Sequence, residues 1–265
     1  MIRSELSQKD FGSILSKYSY YIHPGDIVAG TVFNRECKGF LVDIGVNIVG
    51  YLPLDEILLG SNYTSMQSEL DSLLNCTRDF FILAFDKKRC QLLLSIKRLD
   101  YIRAWKRIKQ IESEDILFVL KPIKLNKGGL IVFLESLQSF IPKSHLSLSH
   151  NYNSKLLQKK IQCKLMFADE KNNKLILSHK LALLSAYADV LKIGAIVDGH
   201  VVQVKQYGIF ISIYGIPALL HISEIGYAHI DDIYSLFKVG KKIKVKVIHI
   251  DMEQGRLSVS RRELN

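Results

Sequence analysis

The chain has 265 residues, 48% of them hydrophobic, and its 36 Lys and Arg against 26 Asp and Glu give a formal charge of +10. That is enough apolar material for one large or two to three small cores, and the cationic excess favours a polyanionic partner such as nucleic acid. No stretch approaches the ~20 apolar residues of a membrane span, and Cys37, Cys76, Cys90 and Cys163 lack the CxxC or paired-histidine spacing of a zinc site. No metal or other cofactor is expected, and cysteines so placed fit a reducing compartment.

The first residues, MIRSELSQKDFGSIL, mix acids and bases and have no apolar signal core or acid-poor import character. Leu6, Phe11, Ile14 and Leu15 predict a helical segment over 1–22. From there the chain repeats itself. Three glycine-led strands match: KGFLVDIG (Lys38 to Gly45), GGLIVFLE (Gly128 to Glu135) and YGIFISIY (Tyr207 to Tyr214). Each is followed by two apolar residues and a stop at Pro53, Pro142 or His221. Asp86, Asp169 and Asp251 then recur at spacings of 83 and 82, and Ser95, Ser178 and Ser260 repeat the same two spacings. The repeats divide the chain into 23–98, 114–180 and 192–265.

The joins at 99–113 and 181–191 read as helices. RLDYIRAWKRIKQIE places Ile102, Trp105, Ile108 and Ile111 on one apolar stripe, which makes the single Trp a packing anchor between repeats rather than a base-stacking residue. HKLALLSAYADVL (His179 to Leu191) forms the second connector.

Strand signals are clearest in the third repeat: AIVDGHVVQVK, YGIFISIY, PALLHI, KKIKVKVIHI and RLSVSRR alternate apolar and polar residues. A short helix at HIDDIYSLFKVG, ending at Gly240, falls between the third and fourth strands, with Asp231 and Asp232 suited to its positive end. Five short strands with a helix at that point is the plan of an OB-fold barrel. The fold class is therefore mainly β, three tandem five-stranded OB barrels joined by helical linkers.

Such barrels bind through one open face, commonly to single-stranded nucleic acid, which needs rings for bases and cations for phosphates. Ile209, Ile211 and Ile213 form one face of their strand, and Phe210, Ser212 and Tyr214 the other. Strict alternation would put Tyr207 with the isoleucines, so a bulge at Gly208 is expected to turn Tyr207 outward beside Phe210. Candidate RNA contacts are Tyr207, Phe210 and His221 as platforms, with Lys205, Arg256 and Lys244 for phosphate. Asp251 is either an acceptor for a ribose hydroxyl or base amine, or a turn residue.

The repeats differ in charge. Repeat one has eight Lys and Arg against nine Asp and Glu, a net of −1; repeat two eleven against five, +6; repeat three ten against seven, +3. At the Tyr207 and Phe210 positions repeat one has Lys38 and Leu41, and repeat two has Gly128 and Ile131. Repeat one thus suits protein docking, and repeat two is expected to track a phosphate backbone with Lys124, Lys127 and Lys143 while carrying few exposed rings.

The pattern YGIF…LLHISEI…VGKKIKVKVIHID…GRLSVS closely resembles the S1-type RNA-binding domain. Tandem copies with KGGLIVF…FIPKSHL resemble the small-subunit ribosomal protein S1 family, in its short three-repeat cyanobacterial and plastid form, over residues ~23–262. The resemblance implies a ribosomal component that captures single-stranded mRNA and aids initiation. Its partners would be mRNA and the proteins and rRNA of the small subunit, with no membrane and no small-molecule substrate. It also implies that Tyr207, Phe210, His221, Asp251 and Arg256 line the RNA face. Abundant Lys, Ile, Asn, Tyr and Leu fit an AT-rich genome, hence a plastid stroma or, alternatively, a bacterial cytoplasm. Three repeats and their connectors leave no room for a catalytic domain, and no HExxH, GxSxG or phosphate-loop motif occurs. The competing readings are a non-ribosomal RNA chaperone and a protein-docking scaffold.

Overall fold

The computed structural model describes residues 22–46, 48–59, 70, 72–147, 154–226, 233–262 and 264. The helix expected over 1–22 falls almost wholly outside the described residues, as do Asp231 and Asp232. The chain forms two compact units, Met1–Arg103 and Ala104–Asn265.

In the first unit β1 (Ile27–Glu36), β2 (Gly39–Asp43), β3 (Val49–Pro53), β4 (Thr77–Asp86) and β5 (Gln91–Ser95) close into a barrel of order β1-β2-β3-β5-β4. Among the described residues of this unit, only β3 and β5 pair in parallel. Alternation selects the core: Val32, Phe40, Val42, Leu52, Phe80, Ile82, Leu92 and Leu94 point inward and are buried. Helix α1 (Ile96–Glu114) follows β5 directly.

The second unit contains two sheets. The first comprises β6 (Leu117–Leu120), β7 (Lys124–Asn126), β8 (Gly129–Leu134), β9 (Leu137–Pro142), β10 (Ile161–Asp169) and β11 (Lys174–Ser178), in the order β6-β10-β11-β9-β8-β7. It has six strands because the long first strand is cut by Pro122, which has no N–H for the ladder; Ile123 resumes pairing by donating to Ile131 O at 2.9 Å. The two sheet edges are therefore consecutive pieces of chain. Helix α2 (His179–Ala186) leads to the second sheet, a closed barrel of β12 (Ile196–Lys205), β13 (Gly208–Ile213), β14 (Ile216–His221), β15 (Lys242–Asp251) and β16 (Arg256–Ser260) in the order β12-β13-β14-β16-β15. Helix α3 (Ile233–Leu236) lies between β14 and β15 in the chain, and Gly240 follows it with φ +86°.

The three recurring serines end the last strand of each repeat and cap the residues just beyond it: Ser95 Oγ accepts from Arg98 N at 2.8 Å, Ser178 Oγ from Leu181 N at 3.1 Å, and Ser260 Oγ from Arg262 N at 3.1 Å. Helix α2 stops at Ala186, short of the expected Leu191. Tyr187 O accepts from both Val190 N and Leu191 N, which turns the chain, while the Tyr187 ring stacks on Tyr214 with centroids 4.6 Å apart. Trp105, Ile108 and Ile111 of α1 are buried, whereas Ile102 is exposed. A buried Trp105 is no platform for a base.

Candidate nucleic-acid interface

On β13, Ile209, Ile211 and Ile213 are fully buried and their alternates face outward. The register across the barrel aligns Gln203, Phe210, Leu219, Ser258 and His249 in one outward row over all five strands. Two residues along the strands from Gln203, Phe210 and Leu219 of this row stand Lys205, the hairpin turn Gln206–Tyr207, and His221, which pairs opposite Gly208. Tyr207 and Phe210 meet edge to face with centroids 6.2 Å apart, and Lys205 Nζ lies 5.8 Å from the Tyr207 centroid and 5.5 Å from that of Phe210. Two rings and a cation thus form one outward-facing cluster, in which Tyr207 is exposed and Phe210 and Lys205 are half-buried.

The bulge expected at Gly208 is not there. Tyr207 occupies the two-residue turn between β12 and β13, where it is free of strand alternation, and the register shift falls at Val202 on β12. Gly208 is glycine for another reason: a Cβ there would lie 2.5 Å from Leu220 O.

His221 is exposed, and its Nδ1 pairs with Ser223 Oγ at 2.8 Å and Ser223 N at 3.3 Å, fixing the ring beside the turn. Arg256 is exposed on the outer face of β16, two positions before Ser258. Lys244 lies opposite Asp198 at the other end of β12, so the fold does not bring it to the rings. There the Asp198 carboxyl is held below its usual range, chiefly by a hydrogen bond from Lys242 at 2.9 Å, with help from Lys244 and His200.

Asp251 closes the turn before β16, its Oδ1 accepting from Glu253 N and Gln254 N, each at 2.9 Å. Asp86 and Asp169 make the same two bonds in their repeats. The recurring aspartate is therefore a turn residue three times over. Asp251→Ala is expected to lower the stability of the second unit by about 1 kcal/mol in chemical denaturation, while Asp251→Asn, which keeps the acceptor, retains most of it. An Asn variant as unstable as the Ala variant would contradict this role.

In the first two repeats the rings sit one strand over from the Phe210 position. The equivalent row of the second repeat is Lys124, Ile131, Phe140, Ile176 and Phe167. The Phe140 ring lies against Gly129, whose Cβ would come within 2.7 Å of it, and Lys174 Nζ stands 5.8 Å from the centroid of exposed Phe167. Repeat two therefore carries rings as well as charge. Lys127 lies in the β7–β8 turn, and Lys143 is tied to that turn by donating its N–H to Gly128 O at 2.8 Å, so these two stand together at the turn while Lys124 lies in the row itself. In the first repeat Tyr51 holds the equivalent place, next to Leu41 and against Gly39. The signal is present in the alternation of SFIP and GYLP, where Ile141 and Leu52 point inward and their neighbours Phe140 and Tyr51 outward.

Where the second and third repeats meet, Lys180 is 7% exposed. Burial, then the charge of Arg256, pushes its pKa down to about 8 from the usual 10.5. Between those values the folded protein has shed a proton that the unfolded chain still binds, so stability rises with pH across this window. Lys180→Met is expected to be more stable than the parent at pH 7, with the difference shrinking by pH 10. A constant difference in denaturation midpoints would contradict the burial of a charge.

Five strands in this order, with rings and cations on the outer face, define an OB-type nucleic-acid-binding module, and the S1 RNA binding domain family matches residues 190–262. Over 264 residues the chain is 43% identical to small ribosomal subunit protein bS1c of Pyropia yezoensis, covering 97% of each. It is 42% identical to bS1c of Porphyra purpurea over 261 residues, again 97% of each. With bS1A of a Synechocystis species it shares 41% identity over 256 residues, 97% of this chain and 77% of that one. The chain belongs to the bS1 family of small ribosomal subunit proteins.

Proposed function

We propose that the chain works on the small ribosomal subunit of a plastid, where it holds unpaired mRNA for initiation through the outer face of its third repeat. The observation that carries this is the outward-facing cluster of Tyr207, Phe210 and Lys205 beside His221, in the repeat that matches the RNA-binding domain family. Bases stack on the two rings, His221 adds an edge or a further plane, and Lys205 and Arg256 meet the phosphates between them. The work is done by binding, without a reaction of its own. The second repeat extends the track with Phe140, Phe167 and the lysines at 124, 127 and 143. The first repeat, near neutral in charge, docks on the ribosome. A plastid setting agrees with the bS1c names of the two algal relatives.

The test is anisotropy of a labelled oligouridylate with the full chain, alongside co-sedimentation with small subunits. Expected results are binding that weakens with salt, with log K falling by about 0.7 per phosphate contact for each tenfold rise in salt, and a chain that sediments with subunits. RNA binding without subunit association would favour an RNA chaperone. Subunit association without RNA binding would favour a docking scaffold.

A further inference from the structure

Each repeat has a short turn after its third strand and a basic residue two positions after its closing serine, and the two face each other. In the first repeat Ser95 Oγ donates to Glu56 Oε2 at 2.6 Å, and Lys97 Nζ donates to Asp55 O at 3.3 Å. In the third, Arg262 Nε donates to Ser223 O at 2.7 Å and lies 3.9 Å from Glu224 Oε1. Carboxylate and cation thus occur together in both. In the second repeat the carboxylate position is His145, whose Nδ1 lies 3.1 Å from Ser178 Oγ, and the cation is Lys180. No carboxylate pairs with Lys180 among the described residues.

The third repeat adds a further cation to this crevice. Its β15–β16 turn closes over Lys180 so tightly that a Cβ on Gly255 would lie 2.7 Å from Lys180 Cβ. Arg256 is the next residue, and its charge is felt by both Lys180 and His145, whose pKa burial, Lys180 and Arg256 together push down. Two other contacts hold the repeats in register here: Ser147 Oγ donates to Gly215 O at 2.8 Å, and Tyr187 stacks on Tyr214. A buried ammonium, an imidazole in place of a carboxylate, and a guanidinium from the neighbouring barrel converge where the other repeats neutralise their charge internally. Such a cluster is costly to stability unless an anion completes it.

We propose that His145, Lys180 and Arg256 form a phosphate site at the junction of the second and third repeats, holding a backbone phosphate of the RNA strand as it passes from the third repeat's aromatic row to the second repeat. Arg256 stands on the outer face of β16 two residues before Ser258 of the row, and its next neighbour in the chain, Gly255, packs on Lys180, so it links the row to the junction. The proposal rests on the RNA-face reading above and extends it.

The experiment uses the full chain, labelled oligouridylates of about six and about twenty nucleotides, and the variants Lys180→Met and His145→Glu. The second restores the carboxylate of the other repeats and gives Lys180 an internal partner. On the longer RNA each variant is expected to bind about three- to tenfold more weakly, with the salt slope reduced by about 0.7. On the shorter RNA both should bind as the parent does. Both should melt at or above the parent temperature, so lost binding cannot be lost folding. Unchanged affinity and slope on the longer RNA, with Phe210→Ala still impaired, would overturn the junction site and leave the RNA face standing. A parent chain that binds neither RNA would overturn both. A melting temperature raised by inorganic phosphate at matched ionic strength only when Lys180 is present, with RNA affinity indifferent to the variants, would assign the site to free phosphate and overturn the RNA path.

Discussion

Phe210→Ala is expected to weaken binding of an unstructured RNA by about 1–3 kcal/mol, roughly five- to 150-fold, with the salt slope little changed. The ring is half-buried in the outward row between Gln203 and Leu219, packed edge to face with Tyr207 and lying 5.5 Å from the Lys205 ammonium. Its removal takes away a stacking plane and leaves every phosphate-contacting cation in place, so affinity falls while the number of neutralised phosphates does not. Tyr207→Ala should cost a similar amount, but the two losses will not add, because each ring supports the other. Affinity unchanged in both variants, with RNA still bound, would move base contact away from the third repeat and onto Phe140 and Phe167.

One residue further along the same strand the expected effect reverses. Ile211 is fully buried, and its Cγ2 fills the space left by Gly199, where an added Cβ would lie 2.4 Å away. Ile211→Ala should therefore destabilise the second unit by about 2–5 kcal/mol, from lost transfer energy and an unfilled cavity. Under conditions where the variant is still folded, its RNA affinity should match the parent, since its side chain never reaches the outer face. Denaturant titration followed by anisotropy at low denaturant checks both halves. A loss below about 1 kcal/mol would mean that the barrel collapses around the gap, and an affinity loss in the folded state would mean that the inner and outer faces are coupled.

Much of this arrangement is legible in the chain itself. Alternation at a period of two specifies which side of β13 is core, because a strand must turn every second side chain to the same face. The recurrence of glycine-led strand, aspartate and serine specifies three copies of one unit. Those marks are local and carry their own physical reasons: the aspartate accepts from the turn's N–H groups, and the serine caps the residues after the last strand of its repeat.

Other features depend on register between distant strands, which no local pattern encodes. His249 reads as an inward residue in KKIKVKVIHI. The register shift between Val247 and His249 reverses the alternation and brings it out beside Ser258. Phe140 and Phe167 do not read as partners because they lie on different strands, joined in one row only by the pairing of β8, β9, β11 and β10. The junction cluster needs more still: Lys180 and Arg256 are brought together by the packing of one barrel's turn on the helix that leaves another. The sequence alone determined the fold class, the number of repeats and the aromatic strand, since backbone periodicity and turn chemistry are written in neighbouring residues. Only the tertiary structure decided which rings share a surface and which cation lacks a counter-charge, since both depend on where strands and barrels meet.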